Sequence, residues 1–189
     1  WLMCKMAHIP VIRGSVDARK SLITARSVVE AGGAVVIFPE GTTTHDPDTW
    51  PMQARTGAAR LALATGAPVI PVEHWGDEPI LSSEYVDGPD GKKKEKRKVS
   101  LWPRKTVHVK IGQPMNIAAL VDDPSPQAKR TRTELNIVTE AMMDAITALL
   151  AHIRGEQAPQ GRWNPKTKRR ELPGETTGVT GTLGEPDEN

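Results

Sequence analysis

The apolar run Ala34-Val35-Val36-Ile37-Phe38, halted by Pro39, constrains the fold more than any other feature of this sequence. Continuous apolar character over that length fits a strand covered on both faces, and proline cannot extend the ladder because it has no N–H. Upstream, Ile9-Pro10-Val11-Ile12 is a second short apolar run, ended by Arg13-Gly14. Between the two, Leu22, Ala25 and Val29 recur at helical spacing until Gly32-Gly33, with Ser15 or Asp17 available as a cap. Strand, helix and strand in that order predict a parallel crossover. The alternation repeats: a helical pattern from about Gln53 to Thr65 ends at Gly66 and feeds Pro68-Val69-Ile70-Pro71-Val72. The fold class expected is α/β, with a mixed, largely parallel sheet flanked by helices.

Further along, residues 73–98 are weakly patterned and are followed by a short run from Val99 to Trp102. Thr106-Val107-His108-Val109-Lys110-Ile111 then alternates with a period of two, which predicts a strand with one wetter face. From about Thr131 to Ile153, the positions Leu135, Val138, Met142, Ile146, Leu149 and Ile153 form the stripe of a long amphipathic helix that closes the core. Beyond Gly155 the chain is rich in Gly, Pro, Glu and Lys and poor in aliphatic residues, too few to offset the entropy of ordering. The expected organisation is one domain over 1–154 and a disordered polar tail over 155–189.

Bulk properties narrow the function classes. The 189 residues suffice for one domain, and a net charge of +2 makes any preference for polyanions a local matter. The single cysteine, Cys4, excludes an internal disulfide and reads as packing. No stretch reaches the 18 or so apolar residues of a membrane-crossing helix. The chain starts at Trp1 within an apolar run, which reads as a sequence whose upstream portion is missing.

Chemistry concentrates after the central apolar run, in Glu40-Gly41-Thr42-Thr43-Thr44. The carboxyl end of a sheet is where open α/β folds place ligands. Gly41 lets backbone N–H groups approach an anion closely, and the Thr42 and Thr43 hydroxyls add donors. The same residues also read as a strand-to-loop turn carrying a solvated Glu. Arg13 at a strand end has the planar fork that suits a phosphate, and it equally suits a surface position.

Phe38-Pro39-Glu40-Gly41-Thr42 resembles the Phe-Pro-Glu-Gly-Thr signature of the glycerolipid acyltransferases, specifically the 1-acylglycerol-3-phosphate acyltransferase family. Two neighbours stand in the family's order: Ile9-Pro10-Val11-Ile12-Arg13 upstream, and Ala67-Pro68-Val69-Ile70-Pro71-Val72 downstream. The likeness runs over about residues 5–120. It implies a glycerolipid-acyltransferase-like fold and transfer of a fatty acyl group to 1-acylglycerol-3-phosphate, forming phosphatidic acid. The donor is acyl-CoA or acyl carrier protein, with no metal or prosthetic group. Arg13, Glu40, Gly41, Thr42 and Thr43 are the implied substrate-binding residues, and Glu40 accepts a substrate hydroxyl or orients a cation such as Arg13. A bacterial enzyme, peripheral on the cytoplasmic face of the cell membrane, is the implied setting.

Departures from the family pattern accompany the likeness. Thr43 and Thr44 stand where the family often has Arg and Ser, so one cation is missing; Arg55 or Arg60 supplies it, or both are solvated helix residues. Ala7 replaces a common Gly. The family's catalytic His and Asp, with four residues between them, are not found: five positions after His8, His45, His74, His108 and His152 stand Arg13, Trp50, Pro79, Gln113 and Gln157. The resemblance therefore places the general base upstream of Trp1 and leaves no catalytic residue in this chain, which alone is expected to be inactive. His45-Asp46 and His74 lack the spacing to substitute; Asp46-Pro47-Asp48 reads as a turn, and His74 as a packed or hydrogen-bonded residue.

The run Lys92-Lys93-Lys94-Glu95-Lys96-Arg97-Lys98 suits an anionic membrane surface, where each cation contributes on the order of 1 kcal/mol. A solvated hairpin insertion is the plainer reading. The partners expected are lysophosphatidic acid, the acyl donor and the membrane, with no nucleic acid. Two other readings stay open: a related acyltransferase with a different lysolipid acceptor, and a non-catalytic module binding anions or nucleic acid through the basic run.

Overall fold

The computed structural model describes residues 8–10, 18–87, 93–100 and 102–172. Its elements are α1 (Ala18–Glu30), α2 (Gly57–Thr65), β1 (Val72–Trp75), β2 (Leu81–Asp87), β3 (Lys93–Val99), β4 (His108–Ile111), a 3-10 turn (Ile117–Leu120), α3 (Arg132–Arg154), β5 (Arg162–Asn164) and β6 (Arg169–Glu171).

The long helix α3 organises the molecule. It starts in a capping box: the Thr131 hydroxyl accepts the Glu134 N–H, and the Glu134 carboxylate accepts the Thr131 N–H. It ends at Gly155, whose φ of 65° releases the chain and whose N–H reaches the Ala151 carbonyl. Leu135, Val138, Met142, Met143 and Leu150 are buried along it. The core joins Leu135, Val138 and Met142 to Ala59, Ala62 and Leu63 of α2 and to Ile117 of the 3-10 turn. Helix α1 packs on α2. It ends as its glycines predict, with Gly32 at φ 83° and the Gly33 N–H on the Val28 carbonyl.

The strands depart from expectation. Among the described residues every sheet is an antiparallel pair: β1 with β4, β2 with β3, and β5 with β6. The largely parallel sheet is not observed. Ala34–Phe38, expected as its central strand, runs outside any ladder, with Val36 85% and Phe38 69% exposed. A doubly covered strand needs partners on both sides, and none of the described segments pairs with it. Ile9-Pro10 is described without a strand, and Val11 to Asp17 lie outside the described residues.

The period-two alternation of the 106–111 segment is observed, with its faces reversed. Val72↔Ile111 and His74↔Val109 face outward, Val109 and Ile111 being 62% and 67% exposed, while Glu73, Trp75 and Lys110 are the more covered positions. Helix α3 lies against β1 and β4. Its last residue, Arg154, stacks between the rings of Trp50 and Trp75 at 4.5 and 4.6 Å. A guanidinium covers an aromatic face at a cost in desolvation that two rings repay better than one. Leu101 of the predicted run lies outside the described residues, and among the others only Val99 belongs to a strand, as the last residue of β3, paired with Leu81.

Residues 155–172, expected to be disordered, are ordered. Strands β5 and β6 form a hairpin whose binding energy is polar, which explains why a scarcity of aliphatic residues misleads. Buried Arg162 pairs with Glu140 at 2.9 Å and with Asp144, and donates to the Thr147 hydroxyl at 2.9 Å. Glu171 accepts from Asn164, Thr167, Gln53 and Arg169, which hold its carboxyl down at about 2. Residues 173–189 lie outside the described set.

Candidate functional site

The Glu40-Gly41-Thr42-Thr43 segment forms a tight turn. The Gly41 N–H closes it on the Phe38 carbonyl at 3.0 Å, and the Arg55 N–H anchors it through the Pro39 carbonyl at 3.0 Å. Gly41 sits at φ 71°, a region L side chains avoid, so the turn demands glycine. This anchoring also explains why the second helix starts at Gly57 and not at Gln53. The backbone N–H groups of Gln53 and Arg55 are committed to Trp163 and Pro39, outside any helix.

Glu40 points inward. One carboxylate oxygen, Oε2, is buried without a hydrogen-bond partner. Desolvation pushes its pKa up to about 7, against the opposing Met52 backbone hydrogen bond and with a further rise from Glu73. Burial raises Glu73 too. A Glu poised near neutrality can donate a hydrogen bond as well as accept one, so it does not repel a phosphate as a fixed carboxylate would. The cation acting on Glu40 is Arg162, from the carboxy-terminal hairpin. Arg13 lies outside the described residues, so its place at the site is a matter of sequence alone.

Thr42 and Thr43 are exposed, and their hydroxyls make no hydrogen bond among the described residues. They are available to a ligand. Thr44 is not: its hydroxyl donates to the Trp50 carbonyl at 2.8 Å and accepts the Asp46 N–H. The next residues form the expected Asx turn, with the Asp48 N–H on Asp46 Oδ1 at 2.8 Å. Asp46 is buried and pairs with Arg170 of β6 at 2.7 Å, and Asp48 pairs with the same guanidinium at 3.0 Å. The site loop is thus clamped by the hairpin that sequence reasoning left disordered.

Arg55, one of the two cations that the sequence offers in place of the family's missing one, lies beside the turn. Its Cδ and Nε lie 3.9 Å from the position a Cβ would take at Gly41, and it makes no ion pair among the described residues. It also opens onto a cleft of about 470 Å³, lined with Arg60, Arg130 and Arg132. Spacing had pointed to Arg55 and Arg60; Arg130 and Arg132 were missed, because over 70 residues separate them from the turn in sequence. Among the described histidines, the His74 Nδ1–H donates to Asp77 Oδ1 at 3.0 Å on the surface, as a hydrogen-bonded residue, and His45 is exposed. No group of residues able to hold a metal ion occurs among the described residues.

Residues 1–75 match the family model described as Acyltransferase. The 1-acyl-sn-glycerol-3-phosphate acyltransferase BAT2, chloroplastic, of Brassica napus is 33% identical over 85 residues. That match takes in 43% of this chain and 23% of the plant protein, so the chain spans about a quarter of its relative's length. No solved structure matches the chain. Residues 1–75, which match the family model, contain both the Glu40–Thr43 turn and Arg55.

Proposed function

Because residues 1–75 match the Acyltransferase family model, we propose that the turn holds the phosphate of 1-acylglycerol-3-phosphate while that acceptor takes an acyl group from a thioester. The observation that carries this reading is the pairing of the Gly41 turn with the unpaired guanidinium of Arg55. Backbone N–H groups, the Thr42 and Thr43 hydroxyls and one planar cation form a phosphate cradle, and Arg13 adds a second cation by its likeness to the family. Glu40, near neutrality, bonds the acceptor hydroxyl or a protonated phosphate oxygen. In the transfer the hydroxyl oxygen attacks the thioester carbonyl, a base takes the hydroxyl proton, and the thiolate leaves. No His-Asp pair of the family spacing stands in this sequence, and none of its histidines is assigned as that base.

The relative of known name acts on a lysophosphatidate-type acceptor, which supports that acceptor here over a lysolipid without phosphate. Coenzyme A and acyl carrier protein both remain donors under this reading. Attachment to the cytoplasmic leaflet is part of the same proposal. Val36, Phe38, Val109 and Ile111 are exposed apolar residues, and the sequence Lys92 to Lys98 is rich in cations. No described helix is long and apolar enough to cross a membrane.

Calorimetric titration of the chain with lysophosphatidate and with monoacylglycerol below micelle concentration tests the site. Lysophosphatidate is expected to bind at least about tenfold more tightly, and Arg55→Gln to remove most of that preference. Equal affinity for the two lipids, or a preference untouched by Arg55→Gln, overturns the assignment.

A further inference from the structure

Residues 52–55 lie between the acceptor turn and the carboxy-terminal hairpin and are bound to both. The Arg55 N–H donates to the Pro39 carbonyl at 3.0 Å, and the Met52 backbone hydrogen bond reaches the Glu40 carboxyl. The Gln53 N–H goes the other way, to the Trp163 carbonyl of β5 at 3.0 Å. Neighbouring N–H groups of one short segment thus serve the turn and the hairpin in alternation.

Gln53 has a second tie to the hairpin. Its Nε2 donates to Glu171 Oε2 at 3.1 Å, and Asn164 Nδ2 donates to the same oxygen at 2.7 Å. The Thr167 hydroxyl donates to Glu171 Oε1 at 2.7 Å. Glu171 is buried, and a buried carboxylate stays charged only where such donors replace its water. The hairpin that carries it is itself fixed to α3 through Arg162, which pairs with Glu140 and Asp144 and donates to the Thr147 hydroxyl. A chain of bonds therefore runs from α3 through the hairpin and Gln53 to the Glu40 carboxyl. Hydrogen bonds weaken steeply with misalignment, so a small displacement of Gln53 is enough to lift the Met52 N–H off that carboxyl.

We propose that Gln53 is a positioning residue of the acceptor turn: fixed by Glu171 of β6, it keeps the Met52 N–H on the Glu40 carboxyl and so fixes the group that meets the acceptor. The proposal rests on the acceptor reading of the turn. Strands β5 and β6 lie outside residues 1–75, which match the family model, so a segment beyond that match governs a residue within it. Glu73 of β1, Asp46 of the site loop and Arg162 of β5 also act on Glu40. Each has its own anchor: Glu73 in the β1–β4 ladder, Asp46 on Arg170, and Arg162 on α3.

The test follows the glutamate carboxyl carbons of the full chain by NMR against pH, with the Glu40 resonance assigned by its loss in Glu40→Gln. Gln53→Met keeps the side-chain volume and removes the amide donor; Glu171→Gln keeps the shape and removes the charge. Both are expected to raise the Glu40 midpoint by about half a pH unit or more. The sign discriminates, because loss of a nearby negative charge acting through space lowers a carboxyl midpoint, whereas loss of the Met52 donor raises it. Val138→Ala, in the core between α2 and α3, is expected to lower the melting temperature at least as far and to leave the midpoint in place. Calorimetry with lysophosphatidate below micelle concentration, repeated across the midpoint, completes the set. The pH at which affinity falls should move up in Gln53→Met by the same interval, the phosphate's own ionisation being common to both proteins. An unmoved or lowered Glu40 midpoint in folded Gln53→Met or Glu171→Gln overturns the proposal. An equal rise in Val138→Ala overturns it too, by reducing the hairpin to a general support, as does a raised midpoint with an unaltered binding profile. Absence of any lysophosphatidate binding in the wild type, with the midpoints behaving as expected, sinks the acceptor reading and leaves the tie between Gln53 and Glu40 standing. Should either variant not fold, Gln53→Asn takes its place; it shortens the amide by one methylene, and a Glu40 midpoint that does not rise then overturns the proposal.

Discussion

Two regions of this molecule are stabilised by different physics. Helix α3 is held by apolar burial along one stripe, from Leu135 to Leu150, with a capping box at one end and a glycine at the other. The site loop from Pro39 to Trp50 buries almost no aliphatic surface and is held by backbone anchors, an Asx turn and the Arg170 clamp. The contrast teaches that a binding turn can be positioned by polar tethers to a rigid body without itself being part of the core. It also explains how Glu40 keeps a buried, unpartnered oxygen: the tethers fix the loop against an interior that gives that carboxylate little solvation.

The contrast breaks most visibly at Leu150→Ala. Truncating a side chain that is 2% exposed is expected to cost about 2–5 kcal/mol, read from urea unfolding, with ligand affinity of the surviving folded fraction unchanged. A loss of affinity in step with stability would show that site and core are one cooperative unit.

Glu40→Gln probes the loop through pH. In the unfolded chain the Glu40 carboxyl ionises near 4.5, whereas burial holds the folded one up to about 7. Between those values the unfolded state releases its proton first, so wild-type stability falls as pH rises and the penalty is complete above 7. The Gln variant escapes it. Its stability relative to wild type should be unchanged below pH 4.5 and should climb to a gain of up to about 3 kcal/mol by pH 8. A flat difference across that window would place the Glu40 carboxylate in a solvated environment.

Arg170→Ala is expected to have the smallest effect on global stability, about 1–3 kcal/mol, because the guanidinium is 21% exposed while its Asp46 partner is buried. Its local effect sharpens the comparison. Hydrogen exchange should quicken at the Asp48 and Thr49 amides, which close on Asp46, and stay slow in α3. Acceleration spread evenly over both would remove the distinction drawn here.

How much was legible in the sequence follows from the range of the interactions involved. Helix α3 was readable from Thr131 to Ile153 because its caps and stripe are local, each contact lying within four residues. The Gly32-Gly33 stop, the Asp46 turn and the glycine requirement at position 41 were readable for the same reason. The β2–β3 hairpin was read only as the plainer alternative, a solvated hairpin insertion at the basic run, and its strands were not placed although Gly88-Pro89-Asp90-Gly91 is a strong turn signal between them. The β5–β6 hairpin could not be read from composition, since Arg170 finds Asp46 across 124 positions of chain.

The sequence by itself carried the likeness to the acyltransferases, the Glu40–Thr43 turn and the helices, because motif identity and helical period are properties of neighbouring residues. Only the tertiary structure decided that Ala34–Phe38 stands outside a ladder, that the alternation at 106–111 turns its valines outward, and that Arg55, Arg130 and Arg132 share one cleft. Those outcomes depend on which distant segments come to lie alongside, and period and composition carry no information about that.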